Sequence, residues 1–234
     1  TPGQLGDELA RIDPAELLMT ETTRAALAAA HFVPPADTLQ IADPALFDSQ
    51  LAATRIAVAF PTGEVDATAF SRAGRAALGA LLDYIREAQK GAPLALRPPG
   101  SVDTEALMSI DAATRSSLEL LVTQRGTEKG SLRDEIDCCV TAPGSRLLAR
   151  RLAAPLCDTG EINRRLDAVA ALAADTALAG QLRTALKAAP DLTRALTRVA
   201  LERSGPRDLR AIAAAVGVAG ELAARLARLD EAPA

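Results

Sequence analysis

The sequence predicts a mainly α protein, a helical domain preceded by a partial α/β domain. Three observations carry this. Of 234 residues, 49% are hydrophobic but only 2% aromatic, so the core is built from Leu, Ala, Val and Ile. Ala, Leu, Arg and Glu abound, and these lose little conformational freedom in a helix. Asp, Ser and Thr recur just ahead of helical runs, where their side chains satisfy free N–H groups.

Residues 4–12 read as a short helix. Leu17 to Met19 follows Asp13-Pro14 as a short apolar strand, 21–30 returns to helix, and 38–42 is a second short strand. Asp43-Pro44 places an N-cap residue before Pro at the first helical position and predicts a helix to Phe60. A further helix covers 65–90. Strands separated by helices indicate an α/β unit, and two strands alone make a poor sheet, so other strands of that sheet are expected to be missing. The stretch 90–100, KGAPLALRPPG, holds two Gly and three Pro and reads as the linker. The domains are therefore drawn at 1–95 and 96–234.

Beyond it, nearly everything is helix. Asp111 starts a helix running to Val122, and Ser131 with Asp134 starts the next. Thr141 opens a helix that Pro155 stops. Leu147, Leu148 and Leu152 of that helix fall near one face, expected to be packed. Arg146, Arg150 and Arg151 fall mainly on the other. Asp158 and Glu161 bracket the start of a helix over 159–173, and Asp191 starts another. Pro206 stands just inside the last long helix, 206–229.

Charge limits the partners. The net charge is −4, without the basic excess of a free-standing nucleic-acid binder. Residues 1–95 carry 7 Lys+Arg against 12 Asp+Glu, and residues 96–234 carry 19 against 18. No run of apolar residues is long enough for a membrane span. The three cysteines include the adjacent Cys138 and Cys139, which fits a reducing compartment. No signal peptide is visible. The chain begins at Thr1, so it is expected to be a piece of something longer.

Chemistry is scarce. His31 is the one histidine and has no second ligand beside it. No G-x-S-x-G surrounds any serine. Cys138 and Cys139 read as buried or helix-end residues. Asp134, Glu135 and Asp137 do not have the spacing of a Ca²⁺ loop and read as a solvated face. GTEKGS at 126–131 lacks the order of a phosphate loop and reads as a turn. Catalytic, cofactor and metal residues are thus assigned to none. The start of TAPGSRLLARRLAAPL, residues 141–156, could hold an anion through free N–H groups. Inter-helix salt bridges are the favoured role for its arginines, with sequence-independent binding of a DNA backbone as the alternative.

Four ordered motifs carry a resemblance. Met108, Asp111, Thr114, Leu118 and Glu119 form the first, with Ser117 in place of an Asn. Gly130-Ser131-Leu132, Ile136-Asp137, Thr141, Gly144-Ser145-Arg146-Leu147-Leu148, Leu152 and Pro155-Leu156 form the second, with Arg151 in place of a Trp. Ile162 and Arg165-Leu166-Asp167-Ala168-Val169 form the third. Pro190-Asp191-Leu192, Arg194, Leu196, Arg198 and Pro206-Arg207-Asp208-Leu209 form the fourth. Together they resemble the core, or lever, domain of the bacterial MutS mismatch-repair family. The first part is similar to that family's connector domain, an RNase H-like fold, with Phe47 and Phe60 flanking a helix.

The resemblance implies a connector and lever region that couples mismatch recognition and the DNA clamp to the ATPase and helps dock MutL. It implies structural roles for Asp111, Thr114, Thr141, Gly144, Ser145, Arg146, Asp167, Asp191, Pro206, Arg207 and Asp208. Neither the family's Phe-x-Glu mismatch-reading domain nor its Walker-type ATPase is present. ATP and Mg, mismatched duplex DNA and the homodimer contacts belong to the full-length protein by this reading, and the segment itself is no enzyme and is expected to be a monomer. The implied setting is the bacterial cytoplasm, at the nucleoid.

Overall fold

The computed structural model describes residues 2–61, 63–90, 96–100 and 106–227. The chain forms two compact units, Thr1–Val102 and Asp103–Ala234. Residues 91–95 of the expected linker, and 228–229 at the expected end of the last helix, lie outside the described residues.

In unit 1, α1 (Pro2–Ile12) leads to strand β1 (Leu17–Met19), and α2 (Glu21–Ala29) crosses over to β2 (Leu39–Ile41). The strands are parallel, with Leu17 opposite Leu39 and Met19 opposite Ile41. A parallel pair needs such a crossover, and the helix supplies it. Thr20 starts α2 by accepting the Thr23 N–H at 3.1 Å.

The expected helix from Asp43 to Phe60 is broken in two. Asp43 starts only a 3-10 turn, Pro44–Phe47. Asp48 then accepts the N–H groups of Gln50 (2.7 Å) and Leu51 (3.3 Å) and starts α3 (Ser49–Ala59) anew. A second Asp five residues after the first offers the backbone a competing start. The expected helix over 65–90 is shortened the same way. Asp66 caps a 3-10 turn at Ala67–Ala69, and Ser71 caps α4 (Arg72–Ala88).

α3 and α4 pack around Ile56, Phe60 and Leu82, with Val65, Leu78 and Leu96 against them. Gly79 allows the approach, because a Cβ there would stand 2.6 Å from the Cβ of Ala52. Arg55 and Asp83 pair at 2.5 Å across the two helices, and Arg55 also donates to the Leu46 carbonyl at 2.6 Å. The Tyr84 hydroxyl on α4 donates to Glu16, just before β1.

In unit 2, α5 is short, Ala112–Ser117, and does not reach Val122. Glu119 takes a left-handed conformation (φ 47) and reverses the chain. Its carbonyl accepts the Leu132 N–H at 2.9 Å, and its side chain accepts the Gln124 N–H at 2.7 Å. The chain then forms α6 (Leu132–Ile136), α7 (Ala142–Ala153), α8 (Thr159–Ala174), α9 (Thr176–Ala188), α10 (Leu192–Ala200) and α11 (Pro206–Leu226). The last five form the bulk of the unit. Leu182 in α9, Ala195 in α10 and Ala215 in α11 are buried. Arg225 on α11 donates to Gln181 on α9 at 3.0 Å. An antiparallel bridge between Leu107 and Leu156 pins the end of α7, with the Met108 N–H donating to the Pro155 carbonyl at 2.7 Å.

Gly79→Ala tests the close approach in unit 1. In an open helix this change adds about 1 kcal/mol of stability. Here the methyl group has no room, and a loss of about 1–3 kcal/mol is expected in urea unfolding. A stabilised variant would contradict the packing.

Candidate functional site

The motif residues converge on the start of α7. Thr141 precedes the helix, and its hydroxyl accepts the Gly144 N–H at 3.1 Å. A Cβ at Gly144 would stand 2.9 Å from that hydroxyl oxygen and 3.5 Å from the Cβ of Cys139. Glycine is therefore required for the cap to close. One residue on, the Ser145 hydroxyl donates to Asp137. Arg133 of α6 donates to Ser145 at 3.2 Å. The Cys139 N–H donates to the other Asp137 oxygen at 3.0 Å. Asp137 thereby folds the loop between α6 and α7 over the first turn of α7.

Arg146 then projects toward α10. Its guanidinium reaches both oxygens of Asp191, at 3.2 and 3.0 Å. Asp191 is also the cap of α10, accepting the Arg194 N–H at 3.2 Å. Arg183 of α9 donates to the Cys138 carbonyl at 3.1 Å. One corner thus ties α6, α7, α9 and α10 together. The salt-bridge role expected for Arg146 is present. Arg150 and Arg151 are exposed and have no ion-pair partner among the described residues. Leu147 is also exposed, unlike its expectation, because only Leu148, Leu152 and Ala153 turn toward the interior.

The electrostatics follow the bonds. The Ser145 hydroxyl, then the Cys139 N–H and thiol, hold the Asp137 carboxyl below its ordinary value of 3.8. The Arg194 N–H and then the Arg146 guanidinium do the same for Asp191. The bond to Asp137 raises the Cys139 thiol above its ordinary value. Cys138 and Cys139 are exposed just past α6, not buried, because the loop that carries them crosses the surface.

The remaining motif residues lie apart. The Asp111 carboxylate accepts the N–H (2.9 Å) and hydroxyl (2.7 Å) of Thr114 and caps α5. Asp208 accepts the Gly205 N–H at 2.8 Å and pairs with Arg198 at 3.2 Å, closing the corner between α10 and α11. Pro206 occupies the first turn of α11. Arg207 and Asp167 are exposed and have no polar partner among the described residues. His31 is exposed in the turn after α2, with φ 63. Among the described residues no group of His, Cys, Asp or Glu could hold a metal ion. No helix among them is long and apolar enough to cross a membrane. The residues 126–131 form a turn in which Gly126 and Gly130 have positive φ.

Arg133 and Arg183 are the corner residues that the sequence reading did not name, and Asp137 is the one it assigned to another role. Asp137 stood in a motif but was grouped with the solvated face. Arg183 carries no local signal, because its partner lies 45 residues away.

A small parallel βαβ unit followed by a helical array with motif-built corners places the chain among mainly α proteins with a small α/β unit ahead of a helical one. Residues 3–98 match the family description MutS domain II, and residues 113–234 match MutS domain III. The chain belongs to the MutS family. A DNA mismatch repair protein MutS of Rhodopseudomonas palustris (strain BisB5) is 45% identical over 99% of this chain and 25% of its own length. Those of Nitrobacter winogradskyi (42%, 98% of this chain, 26% of its own) and Paracoccus denitrificans (44%, 96% and 25%) are similar. The chain spans about a quarter of the length of the curated relatives it matches.

Two predictions follow from the corner. Thr141→Ala is expected to cost about 1 kcal/mol, the usual worth of a cap. Arg146→Ala should cost less, about 0.2–1 kcal/mol, since its guanidinium is half exposed. Chemical denaturation measures both. The second prediction concerns pH. Asp137 and Asp191 have depressed values in the folded state, so their contribution is complete above the unfolded value and is lost as pH falls through the folded one. Melting temperature should hold down to about pH 5 and fall below about pH 4. Asp137→Asn should flatten that acid limb, and an unchanged limb would remove Asp137 from the account.

Proposed function

We propose that this chain is a relay and docking module of a MutS-type mismatch repair protein. In this reading unit 2 couples mismatch recognition and the DNA clamp to the ATPase, and unit 1 helps dock MutL. The observation that carries it is the α7 corner, where a helix start and the loop entering it are tied to α6, α9 and α10 by named side chains. Rigid elements joined in this way transmit a two-state change over distance. The exposed Leu166 and Val169 of α8, and Leu209 and Val216 of α11, support packing against further helices of a longer polypeptide.

ATP with its Mg, the mismatched duplex and the homodimer contacts are assigned to other parts of that polypeptide. The segment itself is assigned no catalytic step. The setting is the bacterial cytoplasm, in association with the nucleoid.

A second reading makes unit 2 a direct, sequence-independent binder of the DNA backbone. The free Arg150 and Arg151 favour it. Residues 85–234 contain no Phe, Tyr or Trp on which a base could stack. The chain should be titrated with matched and mismatched duplexes at low and near-physiological salt. Weak binding that salt removes and a mismatch does not alter is expected. Tight binding that survives salt, and that Arg150→Ala with Arg151→Ala abolishes, would replace the relay reading. Arg146→Ala should lower the melting temperature and leave any DNA binding unchanged.

A further inference from the structure

We propose that the groove between α1 and the loop after α2 in unit 1 docks a short basic peptide segment through one large apolar side chain. Leu9, Leu17, Phe32, Val33 and Pro35 line the groove, and Asp13 stands among them. Its volume is about 270 Å³. Small-molecule and cofactor sites run from roughly 300 to 1,000 Å³, so this groove suits a single side chain better than a cofactor.

Its walls are set in advance. Gly6 lies close under the Phe32 ring, where a Cβ would be 3.1 Å from Cε2. Pro34 is buried and fixes the loop. In this wall Val33 is 78% exposed. A preformed groove loses little entropy on binding, and the exposed Val33 side chain extends the apolar contact.

The charge around it chooses the occupant. Residues 1–40 contain six Asp and Glu but two Arg. Arg11 is already paired with Glu8, and Arg24 with Glu21. Asp13 and Asp37 are exposed and have no ion-pair partner among the described residues. Asp13 sits at φ 48, a turn that sets it at the groove. Asp13 in the groove wall, and Asp37 next in the chain to the lining Thr38, repel phosphate backbones and anionic lipid alike. They attract a peptide with Lys or Arg on either side of its apolar anchor. The relay role of unit 2 rests on the α7 corner, and the MutL docking given to unit 1 makes no claim on this groove, so failure here leaves both as they were.

The test is fluorescence anisotropy of the 234-residue chain with a labelled peptide KRAFKR, against EEAFEE and KRAAKR. Only the first should bind, and added salt should weaken it. Val33→Ser, and separately Asp13→Asn with Asp37→Asn, should each weaken binding about tenfold. All three positions are exposed, and Asn tolerates the left-handed turn at residue 13, so the melting temperature should not move. Equal binding of the three peptides, or wild-type affinity in either variant, overturns the proposal. So does duplex DNA binding that the same variants abolish. Self-association that Val33→Ser abolishes in sedimentation would give the groove to a second copy and overturn it as well.

Discussion

Unit 2 depends on what one carboxylate does at the start of α7. Asp137 receives the Ser145 hydroxyl on one oxygen and the Cys139 N–H on the other. That pins the entering loop against the first helical turn. Only then does Thr141 sit where its hydroxyl can take the Gly144 N–H. Only then does Arg146, one residue beyond Ser145, face the cap of α10. Each bond is modest alone, since exposed polar contacts compete with water. Their effect is geometric. They set the direction in which twelve residues of helix leave the corner.

Unit 1 solves a different problem. It holds four α-helices and a two-stranded sheet with few buried side chains, and a close approach does the work of bulk. Gly79 lets α4 lie against Ala52, which brings Ile56, Phe60 and Leu82 together. The Arg55–Asp83 pair then closes the edge of the same contact. Asp83 also takes Arg86 from its own helix, so a single carboxylate joins a local and a long-range partner.

Much of this was legible in the sequence because its instructions are local. Asp111, Ser131, Thr141, Asp158 and Asp191 each cap the helix that the sequence assigned to them. The two strands and the helix between them were visible as an apolar run, a helical run and another apolar run. What was missed is competition between local signals. Asp43 and Asp48 are both good caps, and the later one wins the longer helix. Glu119 continues a helical pattern by composition, yet its carbonyl is claimed by Leu132 from across a turn. The α7 corner was half legible. Thr141, Gly144, Ser145 and Arg146 stood in one motif, but the partners Asp191 and Arg183 are far along the chain and nothing in periodicity joins them.

The capping pattern also bears on the order in which structure forms. Each cap in unit 2 closes a loop of a few residues, Asp158 to Glu161 or Thr141 to Gly144, and such closures are among the fastest events of folding. The tie from Arg146 to Asp191 spans 45 residues and must wait for the segments between. The β1–β2 pairing in unit 1 must likewise wait for α2. Unit 2 is built of helices with local caps, the class of domain whose contacts are mostly short-range in sequence and whose folding is fastest.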